Sequence, residues 1–484
     1  MSPQAPPDRS ATSPGPARVL VLGGGGREHA LVWSLSRETG VAAVIAAPGS
    51  DAIAAEPKVR CFSAVSPLDP AAVVSLATAE DVDLVVVGPE APLAAGVADA
   101  LMDAGVPVFG PSKAASRIEW SKSFCRDVAA AAGVRMARGR DFAALEPALG
   151  FARELAEAPR SRGVVVKADG LAAGKGVTVC DDYAGAETAL RALFAGSRKA
   201  PQPASAKPSD PEQPTVVLEE RLFGAEASLI AICDDHDALA LPPARDHKRL
   251  LDDDRGPNTG GMGAYSPVPD LPESLCATLV DAIHLPILAE LARRGAPFRG
   301  ALYAGLMLTP DGPVLIECNA RFGDPEAQAL LPRLAVPLGP LLLGAALGDL
   351  AGAATWLGLA GRVLPTTGEA AVAIVMAAAD YPETPRKGDP ISGLTEAGRA
   401  GATIFHAGTV RGPDGHFRTN GGRVVSVVGL GDTIPAARRH AESAAALIDW
   451  QGMQRRHDIA AKLPPAADPR MAVVSSGSLA GGAS

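Results

Sequence analysis

Two runs of strand-forming residues, Leu302–Leu308 and Val314–Cys318, flank Pro310-Asp311-Gly312-Pro313, and turn chemistry of that kind between β-rich runs predicts an antiparallel hairpin. On the second strand side chains alternate faces, so Glu317 and Asn319 project to the same side with Arg321 close behind. One carboxylate and one amide oxygen form a hard-oxygen pair. Such a pair suits a nucleotide-borne Mg²⁺, an ion that keeps positions open for phosphate oxygens and water. Taken alone, Glu317 is more simply a solvated acid on an edge strand. The continuation Arg321-Phe322-Gly323-Asp324-Pro325-Glu326-Ala327-Gln328 changes that balance, because ionisable residues spaced by Gly and Pro make a polar loop beside the pair and not a core.

A chain of 484 residues exceeds one ordinary core, so two to four domains are expected. Its net charge of −9, with the two signs interspersed, leaves no basic stripe, and nucleic acid is not an expected partner. No run reaches the roughly 18 uninterrupted apolar residues of a membrane span. Residues 1–17 and 464–484, rich in Pro, Ser, Ala and Gly, read as disordered tails, and the first lacks the apolar stretch of a secretory signal. Six cysteines are scattered singly with no CxxC spacing, which fits reduced thiols in the cytoplasm.

The strand Arg18–Leu22 runs into Gly23-Gly24-Gly25-Gly26-Arg27-Glu28-His29 and then a helix, and further strands are expected at Val41–Ala46, Leu84–Val87 and Val106–Phe109. Helical spacing between them predicts a parallel, doubly wound sheet, an α/β arrangement with Gly49-Ser50 and Glu90 at its carboxyl edge. A nicotinamide-binding fingerprint is refused by the spacing, since Glu28 or His29 falls where the third glycine belongs. Phosphate binding by the loop remains expected, set against a purely structural turn.

A second domain opens near Pro111, with a helix over Ser121–Ala132 and the strands Val164–Lys167 and Val177–Cys180 around a glycine-rich hairpin containing Gly174, Lys175 and Gly176. No Ser or Thr follows Lys175, and a strand comes next, so this is not a Walker A loop. It still suits polyphosphate, as does Lys167 on its apolar strand. Gly196–Pro214 reads as a linker, Val216–Glu219 and Ala227–Cys233 as strands, and Gly256–Tyr265 as too rich in Gly, Asn and Thr for a regular element. Ala329–Leu350 is expected to be largely helical and Ala351–Arg362 a connector. Strands at Ala371–Ala377, Thr403–Val410 and Arg423–Gly429 with a helix over Ile434–Leu447 make a smaller mixed α/β domain that walls the pocket. The expected units are therefore 18–110, 111–350 with a lid over about 122–226, a linker at 351–362, and 363–463.

The segments GGREHAL, GPEAPL, VKADGLAAGKGV, DHKR, GPNTGGMGAYSP, RFGDPEAQ and TNGGRV, in that order from Val19 to Ile459, resemble the phosphoribosylamine–glycine ligase (glycinamide ribonucleotide synthetase) family. The resemblance implies an ATP-grasp fold behind a biotin-carboxylase-like N-terminal domain, with a small C-terminal domain. It also implies ATP and Mg²⁺ or Mn²⁺ as cofactors, and glycine and 5-phosphoribosylamine as substrates of a monomer or homodimer. Carried over by position, Lys122 and Lys167 would neutralise ATP phosphates, and Gly170–Val177, including Gly174, Lys175 and Gly176, would close as a lid. Glu219, Glu220 and Leu222 would line the adenine hinge, Glu226 would reach the ribose, and Glu317 and Asn319 would hold the metal. Arg321 and Lys167 would stabilise the transferring phosphoryl group. Gly24, Gly25, Gly26, Arg27, Gly49, Ser50 and Glu90 would hold the phosphoribosyl half, and Gly323 with Arg321 would border it. Asp324 and Asp246 would orient the ammonium of glycine. Trp120, Ala225, Cys318 and His457 depart from the family's usual residues, and none of these changes removes an implied contact. Another phosphoribosyl or amine acceptor, or a silent nucleotide-binding protein, are the alternatives.

Overall fold

The computed structural model describes residues 15–159, 161–170, 176–196 and 216–466. Residues 1–14 of the expected tail 1–17, residues 467–484 of the expected tail 464–484, residues 197–214 of the expected linker 196–214, and the expected site residues Gly174 and Lys175 lie outside that set.

Five parallel strands open the chain in the order Val59–Cys61, Ala43–Pro48, Arg18–Gly23, Leu84–Val87, Val108–Phe109. Beyond the half-buried Arg18, the central strands are apolar and buried on both faces, as a parallel sheet covered by helices requires. Val59–Cys61 was not expected; three residues without a fully buried position carry too little pattern to be read.

Two antiparallel four-stranded sheets follow. One runs Ala238–Ala240, Ala225–Cys233, Gly300–Thr309, Gly312–Asn319, and the other Gly139–Phe142, Val216–Glu220, Val164–Ala168, Val177–Cys180. Leu302, Leu306 and Leu315 are fully buried beneath the first sheet, and each such side chain contributes about 1.5–3 kcal/mol of burial. Phe142, Phe151, Val164, Val166, Leu155 and Leu218 form a separate small core under the second.

The predicted hairpin extends over Gly300–Thr309 and Gly312–Asn319, and its ladder breaks between Gly305 and Leu306, which face Glu317 and Leu315 respectively. The extra residue is Ile316. A bulge at this point turns the Ile316 carbonyl out of the ladder and re-aims the end of the strand, and that carbonyl accepts a hydrogen bond from Lys167 Nζ at 3.0 Å.

A third sheet joins Arg245–Asp246 and Gly263–Ser266 to the C-terminal strands Ala370–Ala377, Arg423–Gly431 and Thr403–His406. This corrects the expectation for Gly256–Tyr265: Arg255–Asn258 pairs with Arg249–Leu251, and Gly263–Ser266 is a buried strand alongside Ala370–Ala377. Glycine weakens a strand only where nothing replaces its missing side chain, and a Cβ on Gly263 would lie 2.8 Å from Ile459, which fills that space. Other boundaries also shift. Pro332 and Pro337 divide the expected long helix into Glu326–Leu330 and Leu338–Leu347. The expected connector contains a helix, Leu350–Trp356, capped by the Asp349 carboxylate, and the expected strand Thr403–Val410 breaks into Thr403–His406 and Thr409–Arg411. The segment Glu273–Arg293 is helical for 21 residues and apolar enough in composition to cross a membrane. A π-helical turn at Val280–His284 interrupts it, and its Leu275, Leu279, Ile283, Ile287 and Leu291 are buried in the largest core.

Candidate active site

A cleft of about 1260 Å³ lies between the two antiparallel sheets and reaches the edge of the parallel one. Its first wall is a chain of charges. Lys167, on Val164–Ala168, places Nζ 2.7 Å from Glu219 Oε2, and the other oxygen of Glu219 accepts from Arg126 Nη1 at 2.6 Å. Glu219 is almost fully buried, so its carboxylate holds two cations in fixed geometry. Its main chain pairs with Gly139 on one side and Val165 on the other. That corrects the expectation of hinge groups at Glu219: in the middle of a sheet its main chain is committed to the ladders, and its part in the cleft is played by the side chain. Glu220 N–H is likewise bound to Arg138 O at 2.8 Å. Leu222, beyond the strand end, lines the cleft with its main chain unpartnered among the described residues.

Lys122 begins the helix Lys122–Ala131, whose N-terminus is capped by Ser121 and by Asp169, which accepts from Lys122 N at 2.5 Å and Ser123 Oγ at 2.7 Å. Lys122 Nζ donates to Gly170 O at 3.0 Å, and burial pushes its pKa down. The helix start and the turn after Lys167 are thereby tied together.

On the facing sheet, Glu317 and Asn319 both line the cleft. Lys248 Nζ stands 3.0 Å from Glu226 and 3.6 Å from Glu317. Lys248 first, then burial in opposition, then Lys167, Lys122 and Arg321 determine the Glu317 pKa, and the cations hold it low. Burial works against the charge on Lys248, yet Glu226, Glu317 and Asp246 together hold its pKa well above the usual value. Among the described residues no group of three His, Cys, Asp or Glu forms a metal cluster. An ionised carboxylate beside an amide oxygen fits a hard divalent ion that draws its remaining ligands from phosphates and water.

Asp246 faces Glu226, Glu317 and Glu326 across this wall. Its pKa is raised to about 7, chiefly by burial, with Lys248 opposing and the neighbouring carboxylates adding to the rise. A folded-state pKa above the ordinary carboxyl value means that the native protein binds this proton more tightly than the unfolded chain. The resulting stability is complete below about pH 4 and is lost as the pH rises to about 7. Thermal unfolding of the ligand-free protein across that window checks it: Asp246→Asn is expected to flatten the pH dependence, and an unaltered slope would exclude Asp246 as its source.

At the third edge, Arg321 Nε lies 3.1 Å from both Glu90 and Glu119. Arg27 and Arg321 both donate to the Phe322 carbonyl, at 3.2 and 3.1 Å. Asp324 accepts from Gln328 at 2.7 Å and pairs with Arg423 at 3.2 Å; burial raises its pKa, but Arg423 and Arg27 outweigh that and hold it low.

Of the expected residues, Arg27, Glu90, Lys122, Lys167, Gly176, Glu219, Glu220, Leu222, Glu226, Asp246, Glu317, Asn319, Arg321, Gly323 and Asp324 line this one cleft. Gly24, Gly25, Gly26, Gly49 and Ser50 do not. A Cβ on Gly24 would stand 2.4 Å from the Gly49 carbonyl, so this glycine is required by close packing of two loops. Gly25 N–H is taken by Glu28 Oε2 at 2.7 Å. Glu119, Arg126, Lys248 and Arg423 also line the cleft and had no role assigned from sequence. Arg126 had a local signal, being one helical turn after Lys122.

Family models for the N, ATP-grasp (A) and C domains of phosphoribosylglycinamide synthetase match residues 17–119, 120–327 and 371–462. The chain is 47% identical over 448 residues to the phosphoribosylamine–glycine ligase of Streptomyces coelicolor, covering 92% of this chain and 99% of that one. The chain belongs to the phosphoribosylglycinamide synthetase family. The ligase of Leifsonia xyli is 45% identical, covering 92% of this chain and all of the relative. A crystal structure of the phosphoribosylamine–glycine ligase of Thermotoga maritima superposes with a TM-score of 0.70 at 30% identity, over 91% of this chain and 100% of that one. Biotin carboxylase from Campylobacter jejuni, at 14% identity and a TM-score of 0.63 over 92% and 94% of the two chains, shares the fold. The two antiparallel sheets facing across the cleft are thus those of an ATP-grasp synthetase, preceded by a biotin-carboxylase-like parallel sheet.

Proposed function

We propose that this chain is an ATP-dependent carbon–nitrogen ligase of purine biosynthesis that joins glycine to 5-phosphoribosylamine, giving glycinamide ribonucleotide, ADP and phosphate. Lys122, Lys167, Glu317, Asn319 and Arg321 all line one cleft, and this convergence carries the reading. Phosphoryl transfer to a carboxylate needs positioned charge and no protein nucleophile.

In this reading the carboxylate of glycine attacks the γ-phosphorus in line, ADP leaves, and glycyl phosphate forms. Lys122 and Lys167 offset phosphate charge, and Arg321 meets the charge that develops on the transferring group. Glu317 and Asn319 would hold a divalent ion, Mg²⁺ or Mn²⁺, which supplies further positive charge to the phosphates. The amine of phosphoribosylamine then attacks the activated carbonyl, loses a proton, and expels phosphate. Water must be excluded meanwhile, the task this reading gives to Gly170–Val177, including Gly174, Lys175 and Gly176, as a lid. Leu222 faces adenine and Glu226 the ribose. Arg27, Glu90 and Gly323, with the loops at Gly24, Gly25, Gly26, Gly49 and Ser50, receive the phosphoribosyl end. The acids around Asp246, together with Asp324, suit an ammonium group. The same reading has small molecules as the only partners of a cytoplasmic monomer or homodimer, without nucleic acid or membrane.

Release of ADP and phosphate from ATP, divalent ion and glycine, with and without freshly generated phosphoribosylamine, tests it. Turnover is expected only with both substrates. Turnover indifferent to phosphoribosylamine would remove that acceptor and leave an ATP-grasp ligase for another amine.

A further inference from the structure

Glu119 lies next to the end of the helix Lys113–Trp120, which the extended Ser121 separates from the helix begun by Lys122, and its side chain is only 7% exposed. Its two oxygens do different things. Oε1 lies 3.1 Å from Arg321 Nε, and Oε2 accepts the Ala320 N–H at 2.8 Å. One carboxylate therefore grips both the main chain and the side chain of the two residues that follow Asn319. The Nε–H donates to Glu90 Oε2 at 3.1 Å, whereas Glu119 meets Nε as an ion pair at the same distance; the Glu90 side chain is 31% exposed in the cleft. Nη1 is occupied by the Phe322 carbonyl, and Nη2 has no partner among the described residues. A single Nε–H donates to one carboxylate at a time, so Glu119, in ion-pair contact with it, is placed to receive it whenever Glu90 turns to another partner.

We propose that Glu119 is the positioning residue for Arg321, a buried anchor that keeps the guanidinium aimed into the cleft while Glu90 exchanges its contact with Arg321 for the phosphoribosyl substrate. The inference rests on the ligase reading for the roles of Arg321 and Glu90. Without Glu119, the guanidinium would follow Glu90 when substrate arrives, and the free Nη2 would leave the path of the transferring phosphoryl group.

A double-mutant cycle tests this with kcat and KM measured for wild type, Glu119→Gln, Arg321→Ala and the pair, alongside thermal melts. Glu119→Gln is expected to lower kcat about 10- to 100-fold with the KM for ATP changed less than about 2-fold. In the Arg321→Ala background the same change is expected to cost less than about 2-fold, because the residue acts through Arg321. Equal losses in both backgrounds, or wild-type kcat in Glu119→Gln, would overturn the proposal. Should Glu119→Gln fail to fold, Glu119→Asp takes its place in the cycle, with a loss of about 5- to 10-fold expected in the wild-type background alone. A wild type that does not turn over would instead sink the ligase reading, and this inference with it.

Discussion

Glu317→Gln is expected to lower turnover by about 100- to 1000-fold, with the loss partly recovered by raising the divalent-ion concentration. The substitution keeps the side chain's shape and one oxygen, and removes the charge. Lys248 retains Glu226 at 3.0 Å, and Glu317 is 41% exposed, so the lost ion pair contributes little to stability. Melting temperature should therefore stay close to that of the wild type while the rate falls. Initial rates across a range of metal concentrations check both halves. A wild-type rate with an unchanged metal requirement would take Glu317 out of the metal site.

Arg321→Ala is expected to lower kcat by about 100- to 1000-fold, with the KM for ATP nearly unchanged, because its charge is needed most as the phosphoryl group moves. Arg321→Lys should not restore it, since an ammonium lacks the planar fork that reaches two acceptors in fixed directions. Stability should respond as well. Burial raises the Glu119 pKa, Arg321 opposes that rise, and Glu90 adds to it. With the guanidinium gone, the folded-state pKa of Glu119 climbs further, and the stability tied to its proton is lost as pH rises through that value. The variant is therefore expected to lose more melting temperature near pH 8 than near pH 5. A uniform loss at both pH values would mean that the carboxylate pair is not what Arg321 restrains.

The elements that sequence determined are those whose signal is local. The hairpin at Gly300–Thr309 and Gly312–Asn319 follows from β-rich runs around a turn, and the parallel sheet from apolar strands ending in Gly and Pro. Lys167, Glu317, Asn319 and Arg321 were legible because each sits on or beside such an element with polar chemistry that a core would not accept. Tertiary structure decided the rest. Gly263–Ser266 is a strand only because Ala370–Ala377, more than a hundred residues later, supplies its partner and Ile459 fills the space its glycine leaves. Glu219 acts through its side chain, which holds Lys167 and Arg126, because it lies mid-sheet between Gly139–Phe142 and Val164–Ala168. Glu119 carries no local mark, and Arg423 none beyond its place in the segment TNGGRV. Each acquires its part by meeting a charge, on Arg321 or Asp324, that chain folding alone brings within hydrogen-bond reach. Periodicity and turn chemistry act between near neighbours and can be read along the chain, whereas a buried charge pair is made by the approach of distant segments and exists only once they have packed.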